Sequence, residues 1–266
     1  GLRRLAAGPA LEAADVARLR AEVAEARLSV AVGCVTEVPG VDAIVNCANE
    51  HLVGTQLPYI NLDGSGGCVF DCVDRAVHAK AGPGLHEACM ALEVVEESNN
   101  PRWGGIRCPM GQAKVTGAFG LQNCRYIVHV VGPPWPDSAE ELRSAYRSCV
   151  DAALAADGAG EGPARALAVP ALSAGVQQWP RDMSWAAAVE VLGGHLLDAE
   201  ICRRGRSLGD GSEGAGRSEG AAAAPGIASP QLERVVLAAL DATSAEEASE
   251  CVRRWVDGTL TEDGLL

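Results

Sequence analysis

Apolar positions along the chain alternate between two periods. Residues 10–27 (ALEAADVARLRAEVAEAR) carry Leu, Ala and Val at helical spacing with charges between them, which predicts a helix. The runs at 28–32 and 42–46 (DAIVN) are short, apolar and bounded by Gly or Pro, as buried strands are. A polar, Gly-rich stretch follows over 50–67, and helices are predicted at 69–81 and 85–97, parted by Gly82, Pro83 and Gly84. Residues 99–111 read as a loop. Strands are predicted at 112–116 and 125–131 (RYIVHVV), then an amphipathic helix at 138–156 and a buried strand at 165–172 (RALAVPAL). A helix at 184–202, a strand at 232–240 and a helix at 245–256 complete the pattern. About six strands thus alternate with helices and no repeat is visible, which predicts one α/β domain of three layers, α/β/α. Residues 203–230 differ in kind: they are rich in Gly, Ser and Ala without apolar periodicity, and read as a flexible insertion. The expected organisation is a helical segment at 1–27, the domain at 28–258 interrupted at 203–230, and a tail at 259–266.

Composition narrows the function. The 266 residues include 22 Lys+Arg against 35 Asp+Glu, a net charge of −13. That balance argues against nucleic acid as the main partner, which needs a basic face, and against anionic membranes. Ten cysteines, several inside apolar stretches (Cys47, Cys124, Cys149), suit buried thiols in a reducing compartment better than a disulfide scaffold. No run approaches the ~18 apolar residues of a membrane span, and the first 14 residues hold no signal-peptide core. The expectation is an intracellular, cytoplasmic monomer. With no initiator Met, the sequence also reads as a possible fragment.

In open α/β sheets, ligands sit where strands end and loops lead into helices. Two such junctions stand out. One runs from Asn46 through Gly64, Gly66 and Gly67 into the helix bearing Asp74 and His78; the other is Ser173, Ala174, Gly175 and Val176 after the strand at 165–172. Backbone N–H groups of two such loops can cradle a diphosphate, although either alone is also an ordinary turn. Only two lysines, Lys80 and Lys114, are present, so such a site would rest on backbone donors. Asn46 and Asn49 can position a ribose hydroxyl, or simply make turns and caps. Asp74 can act as a general base, or favour the helix dipole; His78, four residues on, shares its face or packs. His129 alternates with valines and reads as packing. Cys68 and Cys72, beside Asp71 and Asp74, are donors that zinc takes, without a histidine at the usual spacing.

In combination, VGCVT (32–36), VDAIVNCAN (41–49), VDRAVHAKAGP (73–83), CPMGQA (108–113), VHVVGP (128–133) and PALSAGV (170–176) resemble a macrodomain, the module that binds ADP-ribose. The resemblance covers about 28–258 and implies a mixed, mostly parallel sheet between helices. It implies Asn46 and Asn49 at the proximal ribose, Asp74 at the acidic catalytic position, Gly66 and Gly67 in the first phosphate loop and residues 173–176 in the second. The Cys72-Val73-Asp74 step is most similar to the zinc-containing hydrolase branch. It implies zinc as the candidate metal on Cys72, with Cys68 standing in for a ligand that the pattern lacks: Thr55 stands near the first Cys position, and 56–71 contain no histidine. No other cofactor is implied.

Other departures fall at the adenosine end. Cys34 stands where the family has an Asp for the adenine amino group, and losing that bond is worth ~1.5–3 kcal/mol, or roughly ten- to hundredfold in affinity. Gln177 replaces the aromatic over the distal ribose, with Trp179 as the candidate substitute, and the strand ending at Leu240 supplies no aromatic for adenine. The expected function is removal of mono-ADP-ribose from ADP-ribosylated protein. The alternatives are a non-catalytic reader and a scaffold that has lost its ligand.

Overall fold

The computed structural model describes residues 11–55, 72–98, 104–157, 160–209 and 230–260. Its elements follow in the order α1 (Ala13–Arg27), β1 (Leu28–Val32), β2 (Ala43–Cys47), α2 (Val73–Ala81), α3 (Pro83–Ala91), β3 (Ala113–Gly117), β4 (Tyr126–Val130), α4 (Ala139–Leu154), β5 (Ala166–Val169), α5 (Arg181–Gly209), β6 (Arg234–Ala239) and α6 (Ala242–Val256). The six strands form one sheet in the order β1-β6-β5-β2-β4-β3. All neighbours are parallel except β3, which runs antiparallel along β4 at one edge. The sheet is therefore mixed and mostly parallel, as expected.

Alternation along the strands divides the core. Ala43, Val45, Val128, Leu167 and Leu237 join the buried cluster that also holds Leu19, Tyr146, Trp185, Leu192 and Trp255 from α1, α4, α5 and α6. Ile44, Ile127, Ala168 and Val236 face the other way, onto Val77, Leu85 and Cys89 of α2 and α3. The period of two thus puts helices on both faces of one sheet. Two caps fix helix starts: Ser138 and Glu141 form a capping box on α4, and Asp241 accepts from the Ser244 N–H at 2.7 Å on α6.

The predicted strands and helices agree with these elements to within a few residues, with two departures. α3 begins at Pro83, where a missing N–H costs nothing, and ends at Ala91 rather than 97. α5 runs to Gly209, past the expected stop at 202. Arg203 and Arg204 bind Glu200 one turn back, and Arg204 also reaches Glu22 of α1, so charge pairs carry the helix into a segment whose composition reads as linker. Arg27 holds the same Glu200 carboxylate at 2.7 Å, and Leu19 and Val23 enter the core, so α1 is packed onto the sheet domain. The rest of the low-complexity stretch, 210–229, lies outside the described residues, as does the tail from 261. Among the described residues, no helix is long and apolar enough to cross a membrane.

Candidate functional site

The five parallel strands all point the same way, so their C-terminal ends gather on one edge of the sheet. There lie Cys34 after β1, the loop after β2 with Asn49 and Thr55, the turn after β4, residues 170–180 after β5, and Leu240 after β6.

Asn46 sits near the end of β2, opposite His129 of β4 in the parallel register. Asn46 and His129 are fully buried and Asp74 is 3% exposed. Asn46 Nδ2 donates to Asp74 Oδ1 at 2.7 Å, and Thr55 Oγ1 donates to Asp74 Oδ2, also at 2.7 Å. The carboxylate thus has a neutral donor on each oxygen, while His78 Nε2 stands 3.6 Å away. Burial lowers the His78 pKa against the opposing pull of Asp74, so the imidazole is neutral at pH 7. Gly54 lets the loop run against that ring: its φ is +74°, and a Cβ there would come within 3.0 Å of the imidazole.

His129 extends the network inward. Its ring nitrogens lie 3.1 Å from Asn46 Nδ2 and 2.9 Å from Thr116 Oγ1. Burial above all pushes its pKa down to about 3. Sequence reasoning treated His129 as packing, and its valine-rich strand offered no contrary signal. The register against Asn46, which sequence does not state, makes it part of the site.

The remaining candidates are placed as follows. Asn49 Oδ1 accepts from the Val53 N–H at 3.4 Å, closing the turn after β2. Cys34 Sγ accepts from the Thr36 hydroxyl at 3.0 Å. Ser173 is buried with φ +61°, and its Oγ has no partner. A Cβ on Gly132 would lie 2.1 Å from that Oγ, so only glycine lets the two loops approach this closely. The N–H groups of Gly175 and Val176 make no backbone hydrogen bond among the described residues, whereas Trp179 and Gln178 donate back to Ser173 O and Gly175 O. The Trp179 indole is 2% exposed in the core, so the exposed aromatic at this loop is Trp135, at 43%. The two rings meet edge to face at 4.9 Å. Burial, not ligand access, thus sets the position of Trp179, and Trp135 is the aromatic that sequence reasoning missed. Its signal was a tryptophan in the turn directly after β4.

Gly64, Gly66, Gly67 and Cys68 lie outside the described residues. Cys72 is half-buried just before α2, in the neighbourhood of Cys47. Among the described residues no group of three or more His, Cys, Asp or Glu side chains converges to hold a metal. A cavity of about 340 Å³ opens beside the network, lined by Val53, Gly54, Thr55, His78, Gly82, Pro83 and His86.

The chain is an α/β/α domain with a cavity beside Thr55 and His78 at the C-terminal edge of its sheet. The Macro domain family model matches residues 45–188, and the chain belongs to that family. It is 39% identical over 143 residues to a macro domain-containing protein of Vibrio parahaemolyticus, covering 53% of this chain and 66% of the relative. It is 35% identical over 170 residues to the O-acetyl-ADP-ribose deacetylase of Salmonella gallinarum, covering 62% of this chain and 77% of the relative. Among solved structures, a macrodomain of Oceanobacillus iheyensis with ADP superposes with a TM-score of 0.59 at 22% identity, over 87% of this chain and 92% of the other. That likeness shows the fold.

Proposed function

We propose that the chain binds ADP-ribose and hydrolyses the bond joining its proximal ribose to the group it carries, releasing ADP-ribose from a modified protein side chain. The observation that carries this reading is the buried carboxylate of Asp74, in the first turn of α2, bonded at 2.7 Å to Asn46 near the end of β2 in a macrodomain. Asp74 orients and deprotonates the attacking water, its carboxylate buried with no lysine or arginine within ion-pair distance among the described residues. Asn46 and Asn49 fix the ribose. Backbone N–H groups of 173–176, with those of Gly64, Gly66 and Gly67, hold the diphosphate, so that charge developing in the transition state meets donors already in place. Cys34 meets the adenine edge, and Trp135 rather than Trp179 offers a ring to the distal ribose.

Zinc enters this reading only through Cys72 and Cys68. Because the described donors make no metal site, no step is routed through one, and metal content of the purified protein tests the branch. Cys89, Cys108, Cys149 and Cys251 are buried in the core, as small apolar thiols of a reducing compartment would be.

A second substrate is favoured by the name of the Salmonella relative, an O-acetyl-ADP-ribose deacetylase. The same carboxylate and water would then attack the acetyl ester. The test is calorimetry with ADP-ribose, followed by turnover of mono-ADP-ribosylated protein and of O-acetyl-ADP-ribose in parallel. Micromolar binding with release from protein supports the first reading, and release of acetate alone supports the second. Binding without either leaves a reader, and no binding at millimolar ADP-ribose rejects the proposal.

A further inference from the structure

Thr116 Oγ1 lies 2.9 Å from His129 Nε2 and 3.2 Å from the Gly117 carbonyl, and Cys89 Sγ stands 3.8 Å from the same nitrogen. The Asp74 carboxylate demands the donor end of the Asn46 amide, so Nδ2–H also faces His129 Nδ1 at 3.1 Å; Nδ1 is then the bare acceptor, and Nε2 carries the hydrogen toward Thr116 Oγ1. Asn46 Nδ2 has two hydrogens, one for Asp74 Oδ1 and one for His129 Nδ1. Its Oδ1 is buried with no partner. Reversing the amide would set its oxygen against both a carboxylate oxygen and a bare ring nitrogen, so the orientation is fixed from two sides.

We propose that His129 is a positioning residue: in the Nε2–H tautomer, its hydrogen accepted by Thr116 Oγ1, it holds the Asn46 amide so that the unpartnered Oδ1 is what Asn46 offers the ligand. Asn46 then recognises a hydrogen-bond donor, the class to which a ribose hydroxyl belongs. This rests on the proposed function for the identity of the ligand, and on the described network alone for the tautomer. The same lock also keeps one Nδ2 hydrogen on Asp74, holding the carboxylate in register with the sugar.

The test has two arms. Nitrogen NMR of the wild-type imidazoles reads the tautomer directly: an unprotonated Nδ1 with a protonated Nε2 at neutral pH is expected, and a protonated Nδ1 overturns the proposal whether or not the protein is active. The second arm compares His129→Leu with His129→Asn, whose amide oxygen stands the same number of bonds from Cβ as Nδ1. The Leu variant is expected to lose about tenfold in kcat, and the Asn variant to recover most of it without a higher unfolding temperature than the Leu variant. Equal activity in Leu and wild type, or losses that track unfolding temperature in both variants, overturn it. If His129→Leu does not fold, Thr116→Val releases Nε2 and leaves Asn46 untouched. A shifted tautomer with unchanged kcat then contradicts the proposal, and a shifted tautomer with reduced kcat supports it. A wild-type protein that turns over no ADP-ribosyl substrate rejects the proposed function instead, with the tautomer measurement still deciding the positioning of Asn46.

Discussion

Two carboxylates mark the two ends of β2, and they are satisfied in opposite ways. Asp42, just before the strand, accepts from the backbone N–H groups of Arg165 and Ala166 at 2.9 Å each and from the Arg125 guanidinium at 3.0 Å. Burial works against its ionisation, but those two N–H groups and Arg125 outweigh it and hold the carboxyl below its usual range. Its donors come from the starts of β4 and β5, so Asp42 ties the strand entrances together. Asp74, at the other end, has only neutral donors from Asn46 and Thr55 and is 4% exposed in its side chain, against 31% for Asp42. A charge compensated by arginine and backbone is stable and unreactive. A carboxylate held only by amide and hydroxyl donors has no cation beside it, and it adjoins an amide oxygen that has no protein partner. The difference sets a structural carboxylate at one end of the strand against the proposed catalytic one at the other, the end where open α/β sheets bind ligands.

The sharpest way to break this contrast is Asp74→Ala. The expected outcome is a loss of at least about hundredfold in kcat, in the range a positioned base contributes, with a folded protein by circular dichroism. Next is acid. His129 is neutral in the fold with its pKa at about 3, against ~6.5 when exposed, so the unfolded chain takes up a proton that the folded one refuses. Stability is thus lost as pH falls from about 6.5 towards 3, by up to about 1.4 kcal/mol per pH unit from this residue. Denaturant midpoints between pH 7 and 4 should show a shallower slope in His129→Leu. Asp42→Ala is expected to cost about 1.5–3 kcal/mol of stability, from losing charge-assisted bonds, with kcat within a factor of two in the fraction that folds. Chemical denaturation and turnover on one preparation separate the two carboxylates.

The weak end of the crevice gives the smaller effects. Val32 and Leu240, at the ends of neighbouring strands β1 and β6, are 64% and 60% exposed. They flank a site where Cys34 supplies a thiol rather than a carboxylate. Cys34→Asp should tighten ADP-ribose binding by about ten- to hundredfold, and calorimetry would show it as a lower Kd. An unchanged Kd would mean that the adenine does not reach residue 34.

Most of the fold was legible because the chain obeys its own periods. The run at Leu28–Val32 is a strand from end to end, and the amphipathic run predicted at 138–156 is helix α4. What failed was read from composition alone. Residues 203–209 look like linker, yet Glu200 and Glu22 hold their arginines in a helix that tertiary contacts extend. In the site, Asn46, Asp74 and His78 were visible as motif positions and are brought together. His129 was not, since a histidine between valines reads as core until strand register sets it beside Asn46. Trp179 was misjudged because sequence distance from a loop says nothing of which of two tryptophans the core takes.

The most direct test of the central claim is release of ADP-ribose from a mono-ADP-ribosylated protein, followed for wild type and Asp74→Ala in the same assay. The account expects release by the wild type and almost none by the variant, while both bind ADP-ribose. Equal release by the two, or none by a wild type that binds ADP-ribose, would contradict it.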